Sequence, residues 1–166
     1  LQSTIRKMSN GNLEFLISDS NEKVHIVKGP AAFAAGQWHH VAATWDVERA
    51  HLQLFLDGRR IGALGPEGKP WPFSPVPKSD AELKGMGIDG SDKRSVPMQA
   101  FIGGDQRFRA ELSAEAAMDD FRISDRVRYE ADFAPSRKPC EMDDATRGLW
   151  RFDNEFDGVH AGDDRW

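Results

Sequence analysis

The residues able to do chemistry in this chain are an adjacent acid pair, an adjacent histidine pair, one cysteine and several acidic clusters. Asp119 and Asp120 lie in Ala117-Met118-Asp119-Asp120-Phe121-Arg122-Ile123-Ser124, which reads as a strand, so their carboxylates point to opposite faces. Glycoside hydrolysis needs two carboxylates about 5–5.5 Å apart for retention or about 6.5–9.5 Å apart for inversion. On one strand that means acids at alternate positions, and only a cross-strand pair is left open here. His39 and His40 also point apart and cannot chelate one ion together, so each reads as a partly buried, hydrogen-bonded side chain. Cys140 is alone, which excludes a disulfide within the chain and any Cys-based zinc or iron–sulfur site. No Ser-His-Asp arrangement, Gly-x-Ser-x-Gly elbow or phosphate-cradling glycine loop occurs. Acids gather at Asp143, Asp144, Asp153, Asp157, Asp163 and Asp164, and at Asp89 and Asp92. Calcium takes such oxygens, but the same residues also form solvated turns. Asp89-Gly90-Ser91-Asp92 lacks the spacing and closing Glu of an EF-hand.

The elements that must position these groups are strands. Asn12-Leu13-Glu14-Phe15-Leu16-Ile17 and Lys23-Val24-His25-Ile26-Val27 flank the turn-forming Ser18-Asp19-Ser20-Asn21-Glu22. In Gly36-Gln37-Trp38-His39-His40-Val41-Ala42-Ala43-Thr44-Trp45-Asp46, alternation sets Trp38, His40, Ala42 and Thr44 against His39, Val41, Ala43 and Trp45. Neither face is strongly charged, which predicts a strand between two layers. His51-Leu52-Gln53-Leu54-Phe55-Leu56, Asp57-Gly58 and Arg59-Arg60-Ile61-Gly62-Ala63-Leu64 read as a hairpin on a type I′ turn, with Leu52, Leu54 and Leu56 facing the core. Trp38, Trp45, Phe55, Phe101, Phe121 and Phe152 are expected in the core on the same alternation.

Residues 65–98 differ. They hold Pro66, Pro70, Pro72, Pro75, Pro77 and Pro97, six of the nine prolines, and cannot form a central strand. They read as a long surface excursion with a helical turn near Ser79-Asp80-Ala81-Glu82-Leu83. Strand signals resume at Met98-Gln99-Ala100-Phe101-Ile102-Gly103-Gly104, at 117–124, and at Arg147-Gly148-Leu149-Trp150-Arg151-Phe152 after the linker Ala134-Pro135-Ser136-Arg137-Lys138-Pro139. Many short strands with almost no helix imply an all-β sandwich or barrel.

The 166 residues fit a single domain (1–166), with 134–166 as linker, final strand and acidic tail. Thirty-nine per cent hydrophobic and 30% charged residues exclude a disordered chain. Net charge −5 and a pI near 5.5 argue against nucleic acid or an acidic membrane surface as main partner. No run of about 18 apolar residues offers membrane insertion. The chain begins at Leu1 without a leader-like segment, which reads as a mature fragment or excised region and is no evidence for the cytoplasm.

Gly36–Asp46 followed by Leu52–Gly58 resembles the signature of laminin-G-like (concanavalin A-like) jelly rolls. Phe101-Ile102-Gly103-Gly104 is similar to their late "IGG" strand, and Met118–Ser124 to their "iDevRis" strand. Arg128-Tyr129-Glu130-Ala131-Asp132-Phe133-Ala134-Pro135 and Leu149-Trp150-Arg151-Phe152-Asp153 look like the tail of bacterial members. The resemblance covers roughly 10–64 and 98–156, and implies two antiparallel sheets packed face to face on a secreted or surface protein. Two departures stand out. The family's early strands, which precede a segment like Leu13–Ile17, are missing, leaving an edge for upstream residues, a partner chain or Leu149–Phe152 to cover. The stretch 65–98 is also longer than the usual connection.

The fold of this family also hosts glycosidases, whose E-x-D-x-x-E pattern is absent here. Some of its jelly rolls hold a structural Ca2+ near the Asp that matches Asp119, so Asp119 is the expected metal ligand. The resulting expectation is a non-catalytic extracellular module that binds a glycan or protein surface through loops. Trp71, Phe73, Asp89, Asp92 and Arg94 in the long excursion are the expected contacts. Trp71 has a second reading, folded back to plug the sandwich. The alternatives are a glycosidase or lyase with a non-standard carboxylate pair, and a structural subunit joining other domains or chains by strand pairing.

Overall fold

The computed structural model describes residues 2–19, 21, 23–72, 116–153 and 158–160. Among them there are nine strands, and all the pairings given in register are antiparallel. The chain divides into two compact units, 1–74 with 124–138, and 75–123 with 139–166.

In the first unit, β1 (Gln2–Lys7), β2 (Asn12–Ser18) and β3 (Val24–Pro30) form one sheet in chain order. A second sheet holds β4 (Val41–Asp46), β5 (His51–Leu56) and β6 (Arg59–Leu64). Leu13, Phe15 and Ile17 alternate down β2, and Val27 continues the row on β3. They meet Leu52 and Leu54 from β5, with Ala43, Trp45, Leu56, Ile61 and Leu64 packed around them. This is a β-sandwich, its core made by period-2 alternation on both inner faces. The predicted leucine row is there, and the Asp57-Gly58 turn has φ of 52° and 77°, positive at both positions as a type I′ turn requires.

The sheets close most tightly where β3 crosses β6. A Cβ on Gly62 would stand 2.5 Å from the Lys28 carbonyl oxygen, and one on Gly29 would strike the Ile61 carbonyl. Only glycine lets two backbones approach this far.

Three expectations change. The early-strand position is filled: β1 pairs with β2 along its whole length, from Gln2↔Ser18 to Lys7↔Leu13. A turn built on Asn10-Gly11, with Gly11 at φ 87°, makes that pairing possible. Trp38 is no core residue. The chain is extended as a strand only from Val41, and the indole is 69% exposed. Phe152 is exposed as well, because β8 ends at Trp150.

The two-layer setting expected of the strand in 36–46 falls on β5 instead, where Leu52, Gln53, Leu54 and Phe55 are all buried while β4 buries only Thr44; the outer cover is a strap. Residues 127–135 lie on the outer face of β4–β6. Phe133 N–H donates to the Gly58 carbonyl (2.8 Å), Arg60 N–H to Asp132 Oδ1 (2.8 Å) and Thr44 Oγ1 to the Tyr129 carbonyl (3.4 Å). Tyr129 and Phe133 stack at 3.6 Å and clamp Phe55, which is fully buried.

In the second unit, β7 (Phe121–Ser124), β8 (Thr146–Trp150) and β9 (Gly158–His160) form a sheet in that order. The segment read as Leu149–Phe152 therefore pairs here and is not the cover for β1–β3. Phe121 packs against Trp150 with ring centroids 5.4 Å apart. Phe101 and the helical turn read at 79–83 lie outside the described residues.

Candidate functional site

The cavity of the first unit lies beside the strap, on the same outer face. Its volume is about 230 Å³, and its lining includes Thr44, Asp46, Arg49, His51, Gln53 and Glu130. Register explains the assembly. Thr44 is opposite Gln53 and Asp46 opposite His51, so alternation on β4 and β5 delivers four polar side chains to one face. The turn after β4 adds Arg49, held by its own N–H to Asp46 Oδ1 at 3.0 Å. The strap adds Glu130.

Arg49 lies between the two carboxylates, with Nε 3.5 Å from Asp46 Oδ2 and Nη1 3.9 Å from Glu130 Oε1. Its side chain and that of Glu130 are mostly exposed, so these contacts are loose rim pairs. Gln53 is different. It is 2% exposed, and its Oε1 accepts Arg60 Nη1 at 3.1 Å. Arg60 can only donate, which fixes the amide's orientation and turns Nε2 away from it. Such a site can bind a small polar group by hydrogen bonds.

Two imidazole–carboxylate pairs lie elsewhere. His25 on β3 and Asp19 in the β2–β3 turn are 2% and 1% exposed at their side chains and 2.9 Å apart. The His25 hydrogen bond holds the Asp19 carboxyl below the usual carboxylate range. The N–H groups of Asn21 and Lys23 reinforce it, against the opposing cost of burial. His39 Nδ1 sits 2.8 Å from Asp57 Oδ2, and His40 N–H donates to Asp57 Oδ1 at 2.9 Å. Burial pushes Asp57 upward, but these hydrogen bonds outweigh it and the carboxyl lies below its ordinary value. The His39 ring thus has the hydrogen-bonded setting read from the sequence, whereas the His40 bond to Asp57 is made by its backbone N–H and its buried Nδ1 has no hydrogen bond among the described residues.

Trp71 is placed inside. It is 6% exposed and stacks on His25 at 4.1 Å and 26°; its backbone N–H donates to the Val47 carbonyl at 3.0 Å, while the buried indole Nε1 has no partner among the described residues. Its ring packs over the Asp19–His25 pair, the arrangement of the second reading, folded back into the sandwich. Phe73, Asp89, Asp92 and Arg94 lie outside the described residues, as do Asp157, Asp163 and Asp164.

Asp119 is exposed, and its Oδ1 accepts the Asp120 N–H at 2.9 Å. Among the described residues no three His, Cys, Asp or Glu side chains converge as a metal site. Asp143 is a turn former: its Oδ1 accepts the Ala145 N–H and the Thr146 hydroxyl at 3.1 and 2.7 Å. The cavity residues themselves were not singled out from the sequence. The alternation of Thr44 with Asp46 and of His51 with Gln53 was a usable signal, but Glu130 is joined to them only by the strap.

The strands of the first unit form an antiparallel β-sandwich. Residues 3–76 match a laminin-G family model described as the concanavalin A-like lectin/glucanases superfamily, in line with the resemblance read from the sequence. No curated protein and no solved structure matches the chain. Among the described residues no helix is long and apolar enough to cross a membrane.

Proposed function

We propose that the chain is a non-catalytic binding module of an extracellular protein, with the cavity on the outer face of β4–β5 as its ligand site. The observation that carries this reading is the cavity's lining, mixed donors and acceptors on a rigid sheet beside a hydrogen-bonded strap. A space of about 230 Å³ is smaller than the roughly 300–1,000 Å³ of drug-sized sites and suits one polar unit of a larger ligand, such as a sugar ring of a glycan.

A protein surface is the second reading, favoured by the 69%-exposed Trp38, since a projecting indole is a common hot spot. A glycan array probed with wild type, Arg49→Ala and Trp38→Ala separates the two. Glycan binding lost in Arg49→Ala and kept in Trp38→Ala supports the cavity. Absence of all glycan binding by the folded protein refutes it.

A further inference from the structure

We infer that Asn10-Gly11, in the turn joining β1 to β2, is a self-modification site. The Gly11 backbone nitrogen closes on the Asn10 side-chain amide, expels ammonia and leaves aspartyl and isoaspartyl linkages at position 10.

The hairpin demands the very dipeptide that can react. Gly11 N–H donates to the Met8 carbonyl at 3.1 Å and Met8 N–H to the Asn12 carbonyl at 2.8 Å, closing a tight turn. Gly11 stands at φ 87°, a conformation that favours glycine, and a Cβ on it would meet nothing within 4 Å. The attacking nitrogen is therefore unshielded. Asparagine amides are among the heat-labile groups of proteins. This one is also positioned: Asn10 Oδ1 accepts the Asn12 N–H at 3.1 Å, an Asx turn that folds the side chain back along the Gly11 peptide and polarises the carbon under attack. Both residues are exposed, so base reaches the Gly11 N–H when its bond to Met8 opens. As that proton leaves, nitrogen bonds to Cγ and the Cγ–Nδ2 bond breaks, giving ammonia and a cyclic imide. Water opens the imide at Cγ to an aspartate. At the main-chain carbonyl it gives an isoaspartyl link, which runs the backbone through Cβ and Cγ.

Asp57-Gly58 is the internal contrast. Its carboxylate is engaged at both oxygens, by the His39 ring and the His40 N–H, and Gly58 is buried against the Phe133 carbonyl. The isoaspartyl link has a structural consequence. It adds a methylene to the turn that sets the β1–β2 register, and displaces the Gly11 carbonyl that accepts the Ala31 N–H at 2.9 Å.

The test is incubation of the folded protein at mildly alkaline pH, followed by peptide mapping by mass spectrometry with isoaspartyl and ammonia detection. The same chain unfolded in urea, Asn10→Gln and Asn10→Asp are run beside it. Wild type is expected to convert at Asn10, faster as pH rises and severalfold faster than at Asp57, while Asn10→Gln stays unconverted. The isoaspartyl fraction should lose amide-exchange protection in β1 severalfold. Fresh Asn10→Asp adds the charge without the methylene and should keep that protection. Asn10 that stays intact in the folded protein, whether or not the unfolded chain converts, overturns the inference. Conversion at Asp57 as fast as at Asn10 does so too, and β1 protection that survives the isoaspartyl link refutes the structural consequence.

Discussion

Gly62→Ala is the sharpest probe of the sandwich that carries the cavity. The added methyl would lie 2.5 Å from the Lys28 carbonyl oxygen and 2.9 Å from Val27 Cγ2. Ordinary contact begins near 3.4 Å, so β6 and β3 must separate by roughly 0.5–1 Å, and the obstacle is backbone that cannot rotate away. Overpacking of a tight interior costs about 1–3 kcal/mol. Replacing glycine in a strand returns about 0.4–1 kcal/mol by reducing the freedom of the unfolded chain. The net expectation is a loss of about 1–2 kcal/mol. With an m-value of about 2 kcal/mol/M in urea, the midpoint drops by roughly 0.5–1 M at unchanged m. Gly29→Ala attacks the same crossing through the Ile61 carbonyl, so the double variant should fall short of the sum of the singles, because the first methyl has already opened the gap. A midpoint that stays or rises in Gly62→Ala, or strictly additive losses, would mean that these backbones are not in contact, and the packing of the two sheets would be wrong.

Trp71→Ala should destabilise by about 3–5 kcal/mol, the range for a buried large aromatic, measured by urea denaturation; a loss under about 1 kcal/mol would mean the indole is not the plug described. Asp19 gives a pH signature. Its folded carboxyl titrates below its ordinary value, so its contribution is full above that ordinary value and is lost as pH falls through the lower folded one. Wild-type urea midpoints should therefore drop in acid, and Asp19→Asn should be less stable at pH 7 with a shallower decline; parallel profiles would refute this. Asp57→Asn keeps a residue tolerant of φ 52° while weakening the tie to His39. A half-exposed carboxylate predicts a loss below about 1 kcal/mol by the same assay.

The parts of the fold that were legible in the sequence are those in which local geometry and burial agree. Asp57-Gly58 dictates its hairpin, and Leu52, Leu54 and Leu56 then share a face whatever lies opposite. β1 escaped because Gln2-Ser3-Thr4-Ile5-Arg6-Lys7 has one large apolar residue and little alternation; it is a strand by virtue of pairing with β2. The usable signal was Asn10-Gly11, a strong hairpin dipeptide. Trp38 misled for the opposite reason. Alternation was real as a pattern of letters, but Asp57 binds the His39 and His40 segment from the side and the strand starts three residues later than the tryptophan.

The site was harder to see than the fold because its parts depend on contacts distant in the chain. Thr44, Asp46, His51 and Gln53 follow from the hairpin register, but nothing local says that their face is covered. The strap supplies that cover: Arg60 donates its backbone N–H to Asp132, and the same residue's guanidinium holds the Gln53 amide. Arg60 thus joins the strap over the outer face to the buried Gln53 amide beneath it. Arg60→Ala should therefore cost more in ligand affinity than in stability. It leaves Gln53 free to flip its amide, while Phe133, Tyr129 and Phe55 keep the strap in place. Calorimetry set beside urea denaturation checks this, and a stability loss without an affinity loss would detach Gln53 from the site.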